Sequence, residues 1–382
     1  MPKVLYNLLL IFFIFTGGCE QPSSPSQPNG SVVRIAIVAP LSGPDQKSGE
    51  NVVSGAQTNL TMFPYLGDGT KVELVAEDNG GTKEGTLSAL KRIHEQKDIA
   101  GVLLMAKSDI ILPIVPLADH YQIPILALIA THPDITEGND FIAQLGFDDI
   151  YQGAIAALYI RDEMLIDRVA VFSDPGNVHY SYLAREFMRK FSSVGGEVAR
   201  HLTVDPAQID LRVVLEQLRE DEVQVLYLAV NPENVLQIAK AAREISWNPD
   251  MMGSDGLLST IFLQYGEDIG FVNGMMATDF YSTNLPSTEY GRRVIGKFKK
   301  LYSERGTTYT ALASEGTSIL QQAIDRCETK TDRNCVNTTL RDTDEFEGLF
   351  GKISIHRDGK AERPIFVNII KDGKLEFLVK VY

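Results

Sequence analysis

The chain has 382 residues, 44% hydrophobic and 23% charged, a globular composition in a length too great for one ordinary core. Its 36 Lys and Arg against 50 Asp and Glu leave a formal net charge of -14. Without clustered basic residues to neutralise phosphates, nucleic acid is not an expected partner.

The N-terminus carries Lys3, a twelve-residue apolar stretch "VLYNLLLIFFIF" broken only by Asn7, and then "FTGGC". A bilayer-spanning helix needs about 20 apolar residues, so the stretch suits the core of a removable signal, residues 1–18. The following "CEQPSSPSQPNG" has little to bury and reads as an extended tether, residues 19–31. The arrangement resembles a bacterial lipoprotein signal with Cys19 as the lipidated first residue of the mature chain. Thr16 stands where that motif usually has Leu, and an ordinary secretory signal is the alternative.

From residue 33 onward, continuous apolar runs alternate with amphipathic segments. "VRIAIVAPL" (33–41), "KVELVAED" (71–78), "IAGVLLM" (99–105) and "IPILALI" (123–129) suit strands covered on both faces. Between them "TKEGTLSALKRIHEQ" (82–96) places Leu87, Leu90 and Ile93 on one helical face behind a candidate N-cap, Thr82. The pattern repeats after a helix near 149–164, with strands at 168–174, near 197–204 and at 223–230, and helices at 179–194, near 208–219 and near 232–245. Two parallel α/β halves follow, with no linker rich in Pro, Gly or Ser between them. Two further helical segments (287–304 and 309–327) precede a tail in which Asp-Gly at 358–359 and 372–373 separates period-2 segments, the mark of antiparallel hairpins.

Cys327 and Cys335, in "CETKTDRNC", are the only cysteines besides Cys19. In a secreted chain they suggest a small disulfide loop, and no histidine lies at ligand spacing to make a metal site. No Walker-type phosphate loop, HExxH or Gly-x-Ser-x-Gly elbow occurs, and the histidines (94, 120, 132, 179, 201, 356) are scattered. A secreted hydrolase would need a Ser or Cys nucleophile with a paired base, and no such spacing is found. Neither an enzyme nor a cofactor is expected.

In open α/β sheets ligands bind beyond the carboxyl ends of the strands. Ser108 follows "IAGVLLM", and Thr131 follows the run in "LALIATHPDIT". Two hydroxyls beside exposed helix-start N–H groups make an anion site. The competing reading is that Ser108 and Asp109 cap a helix and Thr131 opens a turn that His132 and Pro133 shape.

Four stretches carry a family resemblance: "IAIVAPLSGPDQKSGENVVSGAQ" (35–57), "ELVAEDNGGTKEG" (73–85), "VPLADHYQIPILALIATHPDIT" (115–136) and "FEGLFGKISIHRDGK" (346–360). In order and spacing they resemble the periplasmic branched-chain amino-acid-binding proteins, the type I solute-binding proteins of ABC importers. The resemblance implies two doubly wound lobes joined by three crossovers, near 148–150, 275–279 and 348–351. Lobe 1 is then 32–148 plus 277–350, and lobe 2 is 149–276 plus 351–382.

It further implies that Ser108, Thr131 and the backbone of Ile129 hold a ligand carboxylate, with Asp255 in "MMGSDGLLS" against the ammonium. Asp255 as an uninvolved loop residue is the alternative. Two positions depart from the family: Ser48 stands where an aromatic is common, and His179-Tyr180, or Tyr180-Ser181 with the register shifted by one, where Tyr-Gly is common, so a more polar side-chain pocket is expected. The implied function is capture of a zwitterion, most simply an amino acid, in a cleft whose closed form a permease recognises. A ligand sensor of the same fold is the alternative.

Overall fold

The computed structural model describes residues 28–204, 210–282, 288–302 and 306–381. The expected signal segment, Cys19 and most of the tether lie outside the described residues. Among the described residues no helix is long and apolar enough to cross a membrane.

The first sheet contains β1 (Val32–Ala39), β2 (Lys71–Asp78), β3 (Ile99–Leu104), β4 (Ile125–Ala127) and β5 (Ile142–Gln144), in the order β2-β1-β3-β4-β5. Every pairing is parallel. The apolar runs are continuous because helices cover both faces: all six residues of β3 are buried, whereas the edge strand β2 alternates with exposed positions. Thr82 caps the helix Lys83–Glu95 by accepting from the Gly85 amide, and Leu90 and Ile93 enter the core beneath it. On the other face the helix Gln46–Met62 packs against Thr308–Asp325. These two come so close at Gly55 that a Cβ there would lie 2.3 Å from the Thr310 carbonyl oxygen.

The second sheet begins with β6 (Arg168–Ser173), β7 (Glu197–Thr203), β8 (Val225–Ala229), β9 (Asp250–Gly253) and β10 (Met276–Asp279). The chain then returns to the first lobe, where β11 (Thr343–Glu347), β12 (Lys352–Ile355) and β13 (Ala361–Glu362) form a small antiparallel sheet. Finally β14 (Ile365–Lys371) and β15 (Lys374–Val381) complete the second sheet, in the order β15-β14-β10-β9-β8-β6-β7. The β14–β15 turn places Asp372 (φ 49°) and Gly373 (φ 68°) in the left-handed region, the geometry that Asp-Gly supplies. Cys327 and Cys335 are disulfide-bonded, their Cα atoms 6.0 Å apart. A helix that periodicity did not suggest, Arg333–Leu340, follows the Asp332 cap and buries Val336 and Leu340 in the first core.

Two lobe boundaries differ from those expected at 277 and 351. Strand β10 pairs with β9 and β14, so residues 276–279 belong to the second sheet and the chain crosses at 280–282. Ile353 and Ile355 pack into the first core, and the Gln144 amide donates to the Gly359 carbonyl at 2.8 Å. Residues 352–362 therefore stay with the first lobe, and the third crossing falls at 363–364. The first crossing, between β5 and the helix Asp149–Leu158, lies close to its expected place.

The three crossings meet at Arg363, whose side chain is almost wholly buried. Its guanidinium pairs with Glu315 at 2.9 Å and donates to the carbonyls of Leu145 (3.3 Å) and Phe280 (3.4 Å). Arg363→Ala would strand Glu315 as a buried, unpaired charge, and we expect a loss of about 3–5 kcal/mol in chemical denaturation. The double change Arg363→Met/Glu315→Leu, which removes both charges, should cost clearly less.

Candidate functional site

A cavity of about 630 Å³ lies between the lobes, within the range of small-molecule sites. Ser48, Ser108, Ile129, Thr131, His179, Tyr180 and Asp255 all line it. On the first lobe it is built from strand ends. Strand β3 leads into a short helix, Ser108–Ile111, and the Ser108 hydroxyl accepts from the His132 amide at 3.4 Å. The loop after β4 is clamped by Gln144, whose amide donates to the carbonyls of Ala130 (2.9 Å) and His132 (3.1 Å). That clamp fixes Thr131 at the wall. His132 shapes the next turn by accepting from the Asp134 amide. Ser48 is placed by its neighbour: a Cβ on Gly49 would sit 2.0 Å from the Pro40 carbonyl oxygen, so the helix start can lie against Pro40 only with glycine there. The Ser48 hydroxyl is buried and has no hydrogen-bond partner among the described residues.

On the second lobe, Asn177 caps the helix Val178–Ser193 by accepting from the Tyr180 amide, which sets His179 and Tyr180 in the first turn facing the cavity. Asp255 follows β9 at the start of the helix Leu257–Gln264. Its Oδ1 accepts from the Gln152 side chain at 2.8 Å, and the same Gln152 nitrogen donates to Thr278 at 2.8 Å. Gln152 and Asp149 are fully buried on the otherwise apolar helix "DIYQGAIAAL".

The lobes touch around the cavity. Tyr309, from the helix that covers the first sheet, meets the Thr260 hydroxyl at 2.6 Å, and Lys47 donates to the Leu263 carbonyl at 3.0 Å. His132 stands edge-on to Tyr182 at 4.6 Å. His179 Nδ1 lies 3.1 Å from both Thr131 Oγ1 and Asp149 Oδ2. Carboxylate, imidazole and hydroxyl are thus in contact, but both partners meet the same ring nitrogen. A relay that activates a hydroxyl nucleophile needs them on opposite nitrogens, so this trio is not one.

Charge in the cavity is uneven. Burial pushes Asp255 up to about 6, against the lowering influence of His179 and the Gln152 hydrogen bond. Burial opposes charge on His179, yet Asp149, by charge and hydrogen bond, with Asp255 and Asp109, raises it to about 9. Asp279, buried at the end of β10 beside Thr308 and Asp255, is pushed up to about 7, chiefly by burial. Lys107 is held by Asp45 at 2.7 Å.

The expectation of a more polar side-chain pocket is met only in part. Ser48 and His179 stand where aromatics are common, but rings reach the cavity from Tyr180, Tyr265, Phe280 and Tyr309. Sequence reasoning missed Asp149, Gln152 and Tyr309. The available signal for the first two was a pair of polar residues three apart on an apolar helix, and Tyr309 gave none.

The sequence model of the periplasmic binding protein family matches residues 32–374. The Leu/Ile/Val-binding protein BraC3 of Rhizobium johnstonii is 26% identical over 337 residues, 86% of this chain and 88% of that protein. The leucine-binding protein LivK of Thermotoga maritima has a TM-score of 0.82 at 26% identity, covering 91% of this chain and 98% of its own. The branched-chain amino acid transporter substrate-binding protein LivJ of Streptococcus pneumoniae, solved with isoleucine, has a TM-score of 0.80 at 19% identity, covering 92% of this chain and 100% of its own. Two α/β lobes with three crossings and added antiparallel strands are thus the type I periplasmic binding fold, and the chain belongs to the periplasmic binding protein family.

Proposed function

We propose that this protein captures a small zwitterion between its lobes outside the cytoplasm, a branched-chain or other neutral α-amino acid in the first instance, and delivers it to an ABC permease. The observation that carries the reading is that complementary groups face one cavity from opposite lobes: the hydroxyls of Ser108 and Thr131 with the Ile129 backbone on one side, Asp255 on the other. A carboxylate suits the hydroxyls at the strand ends, and an ammonium suits Asp255. The names of the relatives from Rhizobium johnstonii and Thermotoga maritima support the ligand class. The role of Cys19 as a lipid anchor, which would keep the protein beside its permease, rests on the sequence "FTGGCEQPSSPSQ".

Binding draws on both lobes at once, so it favours the closed arrangement by the differential contact energy alone. Calorimetry and thermal shift against the twenty common amino acids test the assignment directly. At least one should raise Tm in a concentration-dependent way. No heat and no shift with any of them would end the amino-acid reading.

Thr131→Ala and Asp255→Ala should each weaken binding of that amino acid by about 10- to 100-fold, the range for hydrogen bonds to charged groups, with cooperative unfolding retained. Unchanged affinity in both would overturn the two-ended clamp. The pH dependence follows from Asp255, which is charged only above about 6. Affinity should hold between pH 7 and 8 and fall as pH drops through 6, approaching about tenfold per unit, because protonation removes the ammonium's acceptor. Asp255→Asn should flatten that acid limb, and an identical limb in the variant would assign it elsewhere.

A further inference from the structure

We propose that His179 is a third side-chain donor to the ligand carboxylate, acting through Nε2, and that its contact with Asp149 turns the Thr131 hydroxyl into a donor for the same group. The inference rests on the amino-acid reading above and adds a residue and a selectivity to it.

The geometry assigns the protons. Asp149 Oδ2, wholly buried and 3.1 Å from Nδ1, is an acceptor, so Nδ1 carries hydrogen. Thr131 Oγ1 lies 3.1 Å from the same nitrogen and can only accept there. Its own O–H is therefore free to turn elsewhere, and Thr131 lines the cavity. Nε2 makes no hydrogen bond among the described residues and is not among the buried unpartnered atoms, while the ring keeps 17% of its surface exposed at the cavity wall. Asp149 thus fixes the ring by one nitrogen and leaves the other for a ligand.

Charge gives an independent reason. Asp45, Asp109, Asp174, Glu233 and Asp255 line the cavity, against Lys107 and His179. Lys107 is committed to Asp45. A carboxylate entering so acidic a cavity is repelled unless a positive donor meets it, and His179 stands beside Thr131 to do so. The groups facing the ring are Asp149 from its helix, Asp255 from the loop after β9 and Asp109 from the short helix after β3. His132 opposes them across the lobes, and its own charge is disfavoured by burial. The balance holds the ring protonated to about pH 9.

The test compares the amino acid that binds tightest among the twenty with its carboxamide, which keeps the ammonium and side chain. His179→Gln should weaken the amino acid by about 10- to 100-fold and leave the carboxamide nearly unchanged, so the ratio of their affinities collapses. Equal weakening of both probes, as for a merely structural residue, or no weakening, overturns the proposal. Because His179→Gln leaves Asp149 without its cation, Asp149→Asn/His179→Gln provides a neutral pair for the same comparison.

In the wild type, the affinity lost between pH 8 and 10 should exceed that in His179→Gln, the variant reporting the amino acid's own ammonium titration; identical profiles count against the proposal. Histidine-labelled NMR adds a readout without substitution: the His179 Nε2–H resonance should shift with the amino acid and not with the carboxamide. An unmoved resonance overturns the proposal alone. If the wild type binds none of the twenty, the amino-acid reading fails and takes this inference with it.

Discussion

The buried pair of Arg363 and Glu315 is the constraint on which the two-lobed arrangement depends. Arg363 belongs to the third crossing and donates to carbonyls in the first and second, Leu145 and Phe280, while Glu315 also accepts from the Leu349 amide at 2.7 Å. Taking both charges out of water is expensive, so a pair placed here is a costly way to gain stability. What it provides is position: a planar guanidinium with several fixed donors can tie three separate strands at one point, where an apolar cluster could not fix their register. Packing repeats the constraint. Phe147 from the first crossing stacks on Phe280 from the second at 4.1 Å, and a Cβ on Gly146 would lie 2.9 Å from the Phe280 ring.

Because the crossings are tied there, relative motion of the lobes has to open the cleft from its opposite side, where the contacts are of a different kind. Tyr309 with Thr260, Lys47 with the Leu263 carbonyl, and His132 with Tyr182 are pairwise contacts between groups that water can satisfy once they part. At the hinge three chain segments share one buried ion pair, whereas the contacts on the far side each join one residue of one lobe to its neighbours on the other. A ligand that bridges the walls adds to contacts already present in the closed arrangement, so it has to supply only the remaining difference between open and closed states.

Much of this was legible because parallel strands covered on both faces leave an unmistakable record. The run "IAGVLLM" became β3 with every residue of Ile99–Leu104 buried, and the strand-end rule pointed to Ser108 and Thr131, which both line the cavity, while leaving open that they serve a helix cap and a turn. The lobe boundaries were less legible for a physical reason. The segment 352–362 alternates like the hairpin after it, and what ties it to the first lobe is long-range: Ile353 and Ile355 in the first core, Arg341 donating to the Arg357 carbonyl, and the Gln144 backbone amide donating to the Gly359 carbonyl. Nothing local distinguishes "AERP" as the site of the central ion pair, since an Arg beside a Glu usually marks solvated surface. Asp149 and Gln152 were hidden in the same way, as polar residues whose partners, His179 and Asp255, lie on other elements.

Those hidden residues matter because they decide which cleft groups hold charge. Asp149 and Asp279 are fully buried and Asp255 lines the cavity, and His179 is the cation that faces Asp149 and Asp255. Asp255 and Asp279, both raised chiefly by burial, are where protons are taken up when the cleft is empty. On the proposed reading, an ammonium at Asp255 would supply the missing positive charge and favour the ionised carboxylate, so that binding a zwitterion and releasing protons would be coupled by the same electrostatics. A neutral solute of equal size would fill the cavity without relieving that imbalance. The proposed zwitterion site would therefore discriminate by charge before side-chain shape, which would fall to the cavity-lining Tyr180, Tyr265, Phe280 and Tyr309 and to the space left by Ser48.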